Sequence, residues 1–157
     1  MKIASKGLVL ALAQVALLCS IGAKMLYDRT TLPHAWIKTM PVDPDMPIRG
    51  RYLRLTLAVE NPQHWSGTPV DFHVDGDEVK IGLAPEFASA NYITRAAGDY
   101  GLISPPVAFF ISDKAEDPSR HLLPGQELWV EATIPPHGHP RPIRLGIKHN
   151  GVLTPID

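Results

Sequence analysis

The feature that most constrains this chain is an apolar run over residues 7–23, interrupted only by Gln14, Cys19 and Ser20 and bracketed by Lys6 and Lys24. Wound as an α-helix at about 1.5 Å per residue, the run is roughly 26 Å long. Snorkelling of Lys24 adds Met25 and Leu26 and brings it close to the ~30 Å of a hydrocarbon core. The sequence therefore predicts a membrane anchor over residues 1–26. Lys2, Lys6 and the terminal amine precede the run. The positive-inside tendency then places the N-terminus in the cytoplasm and everything beyond Lys24 on the far side, with Lys24 and Arg29 weighing against that orientation. A cleaved signal peptide is the competing reading, with Ser20, Ile21 and Gly22 as its small-residue site. Under either reading the remainder of the chain is exported.

Cys19 is the only cysteine. The exported part accordingly has no disulfide, no Cys-based zinc site and no thiol nucleophile. A lipoprotein site needs small residues ahead of the cysteine, and Leu17 and Leu18 stand there instead. With 15 Lys and Arg against 16 Asp and Glu, the net charge of −1 excludes a general nucleic-acid binder. Sixteen prolines and 12 glycines spread along the chain speak against a helical bundle.

Residues 27–47, with Pro33, Pro41 and Pro44, read as a Pro-rich tether and lead-in, and residues 48–157 as one β domain. The clearest strand covers residues 51–59, where Leu53, Leu55, Leu57 and Val59 alternate with Tyr52, Arg54, Thr56 and Ala58. A slip of one residue would bury Arg54, so the register is firm. Val70, Phe72 and Val74, then Asp75-Gly76-Asp77, then Val79, Ile81 and Leu83 form a hairpin signature. Residues 143–148, Asn150-Gly151 and residues 152–156 form another. Residues 107–111 and 128–134 read as further strands, for six or seven in all. Residues 85–97 are a modest helical candidate, weakened by Asn91 and Thr94. The fold class expected is mainly β: an N-terminal transmembrane helix followed by an antiparallel β-sandwich or small β-barrel.

The stretch Pro41-Val42-Asp43-Pro44-Asp45-Met46-Pro47-Ile48-Arg49-Gly50-Arg51-Tyr52-Leu53-Arg54-Leu55 resembles the bacterial membrane-anchored family named for its GDYXXLXY motif. Gly50, Tyr52 and Leu55 match the motif, and Arg49 and the Pro41 to Pro44 lead-in agree with it. Arg51 replaces the motif Asp and Leu57 its final Tyr. Leu145-Gly146-Ile147 stands where the family tends to carry Tyr-Gly-Ile. The resemblance implies an anchored domain outside the inner membrane, hence a single-pass protein of the bacterial inner membrane with its C-terminal domain in the periplasm. It transfers no catalytic residue. The candidate interaction residues it singles out are Asp43, Pro44, Asp45, Arg49, Gly50, Tyr52 and Leu55. Gly50 suits a bulge or a positive φ at the start of the strand. Asp43 or Asp45 could reach Arg49 and pin the lead-in, or these charges only solubilise a loop.

Among other constellations, only His137-Gly138-His139 forms a close histidine pair, and Pro135, Pro136, Pro140 and Pro142 surround it as in an exposed loop. Asp71, Asp75, Asp77 and Glu78 lack EF-hand spacing and read as a charged hairpin tip. No Gly-x-Ser-x-Gly elbow is present. Trp36, Trp65, Trp129 and Phe109-Phe110 either fill the core or line a recognition surface, and Trp129 lies opposite the aliphatic side of its strand. No cofactor and no metal are expected. The function expected is a non-enzymatic, membrane-anchored periplasmic β domain. It would act as a protein-interaction or accessory subunit of an envelope complex, with the cytoplasmic membrane and an integral membrane protein as partners. An anchored hydrolase or a small-ligand-binding β-barrel is the alternative, distinguished by a closed pocket with converging polar groups.

Overall fold

The computed structural model describes residues 2–41, 52–76, 78–85, 91–112 and 117–156, which fall into two units, residues 1–32 and 33–157. The first unit is one helix, α1 (Lys2–Thr31), extending past the 1–26 expected of the anchor. Thr30 and Thr31 turn their hydroxyls back onto the Tyr27 carbonyl at 3.0 and 2.7 Å, and the Leu32 N–H donates to Asp28 O at 3.0 Å. Pro33 then follows, which cannot donate to a further turn. Leu8, Leu10, Leu12, Leu17, Leu18 and Ile21 are all more than half exposed. A helix that shows apolar side chains on every side is at home in hydrocarbon rather than water. Residues 6–31 are long and apolar enough to cross a membrane, so α1 has the properties of a membrane anchor or signal.

Among the described residues the second unit is a ten-stranded antiparallel sheet. Its strands are β1 (His34–Pro41), β2 (Tyr52–Glu60), β3 (Thr68–Asp75), β4 (Glu78–Leu83), β5 (Asn91–Ala97), β6 (Tyr100–Ser104), β7 (Val107–Phe110), β8 (Gln126–Thr133), β9 (Arg141–His149) and β10 (Val152–Ile156). The order is β10-β9-β8-β1-β2-β6-β5-β3-β4, with β7 also paired to β2. The sheet does not close into a barrel. It doubles back so that β4 packs against β1 and β2, giving an apolar helix followed by a β-sandwich.

Three sequence expectations are corrected, the first being the strand count, which is ten among the described residues and not six or seven. Residues 34–41, assigned to the tether, are a central strand. β1 pairs through His34–Lys38 with β8 and through Lys38–Pro41 with β2, leaving only Leu32 and Pro33 between α1 and the sheet. In the helical candidate over 85–97, residues 91–97 are β5, and residues 86–90 lie outside the described residues. Both hairpins form as expected. Gly76 adopts φ +66° between β3 and β4, and Asn150 and Gly151 adopt +49° and +81° between β9 and β10, as a tight turn between right-twisted strands requires.

The core lies between the layers and is organised by β2, whose Leu53, Leu55, Leu57 and Val59 are at most 5% exposed. Each such leucine contributes about 1.5–3 kcal/mol by leaving water. Ile37, Val70, Ile93, Ile103, Leu128, Val130 and Leu145 belong to the same cluster, and Trp65 packs against it. After β2, buried Asn61 organises the connection to β3. Its carboxamide accepts from the Trp65 N–H at 3.1 Å and donates to the Trp65 carbonyl at 2.9 Å.

On the opposite side of the sheet the Trp36 indole lies across β9 at Gly146. A Cβ there would stand 2.8 Å from Trp36 Cζ3 and 3.1 Å from the Thr154 carbonyl. Glycine at this position is therefore a packing requirement. Gly146→Ala is expected to destabilise the β unit by about 1–3 kcal/mol through overpacking. Chemical denaturation of the full chain in detergent, followed by tryptophan fluorescence, checks this. Wild-type stability in the variant would mean that Trp36 does not occupy that place.

Candidate interaction face

The face of the sheet turned away from the core has two halves that differ in how far they satisfy themselves. In β1, β8 and β9 the outward residues fall into register: Trp36 opposite Glu131 opposite Arg144, Lys38 opposite Trp129 opposite Gly146, and Glu127 opposite Lys148. Cross-strand neighbours of this kind are the contact unit of a sheet. Lys38 Nζ donates to Glu127 Oε1 at 2.5 Å, and Trp129 Nε1 donates to Glu127 Oε2 at 3.2 Å. The Lys148 ammonium lies 4.3 Å from the Trp129 ring centre, and the Arg144 guanidinium 5.5 Å from that of Trp36. Arg144 also donates to Glu131, whose other oxygen is 3.6 Å from His34 Nδ1. Both indoles are capped by cations and both carboxylates are bonded. This half is laced shut.

Lys38 joins it to the other half, with its ammonium 5.0 Å from the Tyr100 ring of β6. At the paired ends of β2 and β7 no ion pair or cation–ring contact forms among the described residues. Tyr52 of β2 and Phe110 of β7 stand directly opposite each other, edge to face, with ring centres 5.3 Å apart and planes at 65°. They are 57% and 60% exposed. The pair is worth about 0.5–1.5 kcal/mol beyond its buried area, yet most of both rings faces solvent. Arg54, two residues along the same face of β2, is exposed and forms no ion pair among the described residues. Met40 of β1 is 36% exposed on this face.

Of the residues singled out by the motif, Tyr52 belongs to this open half, whereas Leu55 is fully buried and serves the core. Asp43, Pro44, Asp45, Arg49 and Gly50, and with them the contact expected between Arg49 and an aspartate, lie outside the described residues. Phe110 was a sequence candidate only as one of the Phe109-Phe110 pair that could fill the core or line a recognition surface, and Arg54 was not a candidate. The signal for Arg54 was present, because period two puts it beside Tyr52. Which of Phe109 and Phe110 points outward depends on the β2–β7 register, and it is Phe109 that packs against the core.

The other constellations are structural. Asn91, buried at the start of β5, donates through Nδ2 to the Gly138 carbonyl at 2.8 Å, and its Oδ1 lies 2.8 Å from His139 Nδ1. The histidine loop is thus stapled onto the sheet, with His137 Nδ1 3.9 Å from Asp71 Oδ2. No group of three or more His, Cys, Asp or Glu side chains able to hold a metal ion converges among the described residues. At the acidic hairpin, Lys80 donates to Asp75 at 2.5 Å, which lowers the Asp75 pKa and raises that of Lys80.

The Lys38 hydrogen bond also holds the Glu127 carboxyl below the ordinary glutamate range, opposed by partial burial and assisted by Trp129. A carboxylate whose pKa is lowered on folding adds stability above its unfolded pKa and loses it as pH falls through the lowered value. For this partly exposed pair the contribution is about 0–1 kcal/mol. Lys38→Met is expected to raise the Glu127 midpoint and to remove its share of the acid-side loss of stability. A side-chain carbon NMR titration of the two proteins reads this directly, and an unchanged midpoint would contradict the pairing. Comparison with protein-family models, curated proteins and solved structures finds no match to this chain.

Proposed function

We propose that this protein is a non-enzymatic accessory subunit of a bacterial cell envelope. In this reading α1 is a single-pass anchor in the inner membrane and the β unit, on the periplasmic side, docks onto an integral membrane protein through Tyr52, Arg54 and Phe110. The observation that carries the reading is the contrast on the outer face. Where aromatic and charged side chains belong to the fold, they are capped and paired, and at Tyr52 and Phe110 they are not. Exposed aromatics beside a guanidinium that forms no ion pair among the described residues are the residue types that concentrate binding energy at protein interfaces. The partner surface that fits offers an apolar recess for Phe110 and a carboxylate for Arg54. The short link between α1 and β1 suits a domain that works close to the bilayer.

The test is a photo-crosslinking amino acid placed at Phe110 of the full-length chain in intact bacteria. A discrete adduct with a membrane-integral protein is expected, lost in Arg54→Glu. No adduct is expected from the same probe at Val152, which is as exposed but lies on β10. Equal adducts from both positions, or none from Phe110, would contradict the reading. In the purified complex, removing Phe110 to alanine should weaken binding by at least about 30-fold, the loss of roughly 2 kcal/mol that marks an interface hot spot.

A further inference from the structure

Within the apolar run of α1, the Gln14 carboxamide has no hydrogen-bond partner among the described residues. Ser20 satisfies its hydroxyl within the helix, donating to the Leu17 carbonyl at 2.8 Å. Gln14 has no such bond among the described residues, although its carboxamide carries two N–H donors and an acceptor oxygen. Counting about 1.5 Å per residue, it lies roughly 12 Å from Lys6 and 15 Å from Lys24. If those lysines mark the two surfaces of the membrane, the carboxamide sits at mid-depth in hydrocarbon, where water cannot serve it. This step rests on the reading of α1 as a membrane span.

We infer that α1 pairs with α1 of a second copy of the chain, in parallel, through Gln14. A carboxamide is complementary to itself: each Gln14 can donate an N–H to the carbonyl oxygen of the other across a twofold axis, so both amides are satisfied at one level. The same side of the helix suits close approach. Gly7 and Ala11 lie on the stripe that continues through Gln14 to Leu18 and Ile21, and a Cβ at Gly7 would meet nothing within 4 Å. Small residues one and two turns from a polar one let two backbones come near enough for the amides to meet. A single polar position in such a seam also sets its register.

The lone cysteine supplies the control. At 100° per residue Cys19 is about 140° round the helix from Gln14, off the proposed seam, whereas Leu18 is about 40° away and on it. The full chain is placed in phosphatidylcholine vesicles and exposed to a mild thiol oxidant, once as it is and once as a Cys19→Ser, Leu18→Cys variant. Disulfide-linked dimer is expected from position 18, at least tenfold above that from native Cys19. The yield should fall to the Cys19 level when Gln14→Leu is added and be retained with Gln14→Asn, whose amide is also self-complementary. Gln14→Leu makes the helix more apolar and does not impair insertion, which resistance to alkaline extraction verifies. Equal yields at 18 and 19, or no loss with Gln14→Leu, would overturn the pairing while leaving the span intact. Release of the wild-type chain by alkali would overturn both.

Discussion

Covering the aliphatic side of β2 is the constraint on which the rest of the β unit depends. Leu53, Leu55, Leu57 and Val59 form an unbroken apolar row, and β2 is the strand with most neighbours: β1 on one edge, β7 and then β6 on the other. Any shift of one residue would expose that row and draw Arg54 inward, a loss that no turn or surface contact could offset. Once β2 is set, β1 must continue onto β8, and the β3–β4 hairpin must fold back as the second layer, because the row needs a cover. Which side of the sheet is outward follows from the same choice. The exposure of Tyr52 and Arg54 is thus a consequence of how Leu53 and Leu55 are buried.

The outer face then divides by chemistry. From β9 to β1, cations cap indoles and carboxylates receive them, and even a backbone position, Gly146, is given over to seating Trp36. Such a surface is finished. At β2 and β7 the aromatic pair stacks edge to face with most of both rings exposed, and the guanidinium beside it has no counter-charge among the described residues. The proposed function follows from that difference. A chain that begins with an apolar helix able to span a bilayer, linked to the sheet by two residues, suits a subunit whose partners lie in or against a membrane.

Much of the fold was legible where alternation was strong and turns were chemically explicit. β2, β8 and the two glycine-containing hairpins are of this kind. β1 was not legible, although its alternation is real. Its core side is Ala35, Ile37 and Thr39, small or polar, while Trp36 and Met40 lie on the outer side, so the apolar signal is divided between faces and Pro33 and Pro41 frame it like a tether. β5 was obscured by core-facing Asn91 and by a register shift between Ile93 and Arg95 that breaks the period. β6 places Gly101 on the core side because a Cβ there would come within 3.3 Å of Asn61 and Ile93, a contact no local pattern reveals. For the site, Tyr52 was found through the motif, but the outward placement of Phe110 rather than Phe109 required a pairing register with β2, about a third of the chain away.

The sheet carries a closed half-face and an open one, and the proposed function requires the open one to be covered in the cell. Hydroxyl-radical footprinting with residue-level mass spectrometry measures this on both sides. In the purified full chain, Tyr52 and Phe110 should oxidise several-fold faster, relative to their intrinsic reactivities, than Trp36 and Trp129. In native membranes the first two should become protected while the indoles stay as they were. Rapid oxidation of Trp36 and Trp129 in the purified chain, or undiminished labelling of Tyr52 and Phe110 in membranes, would contradict the account.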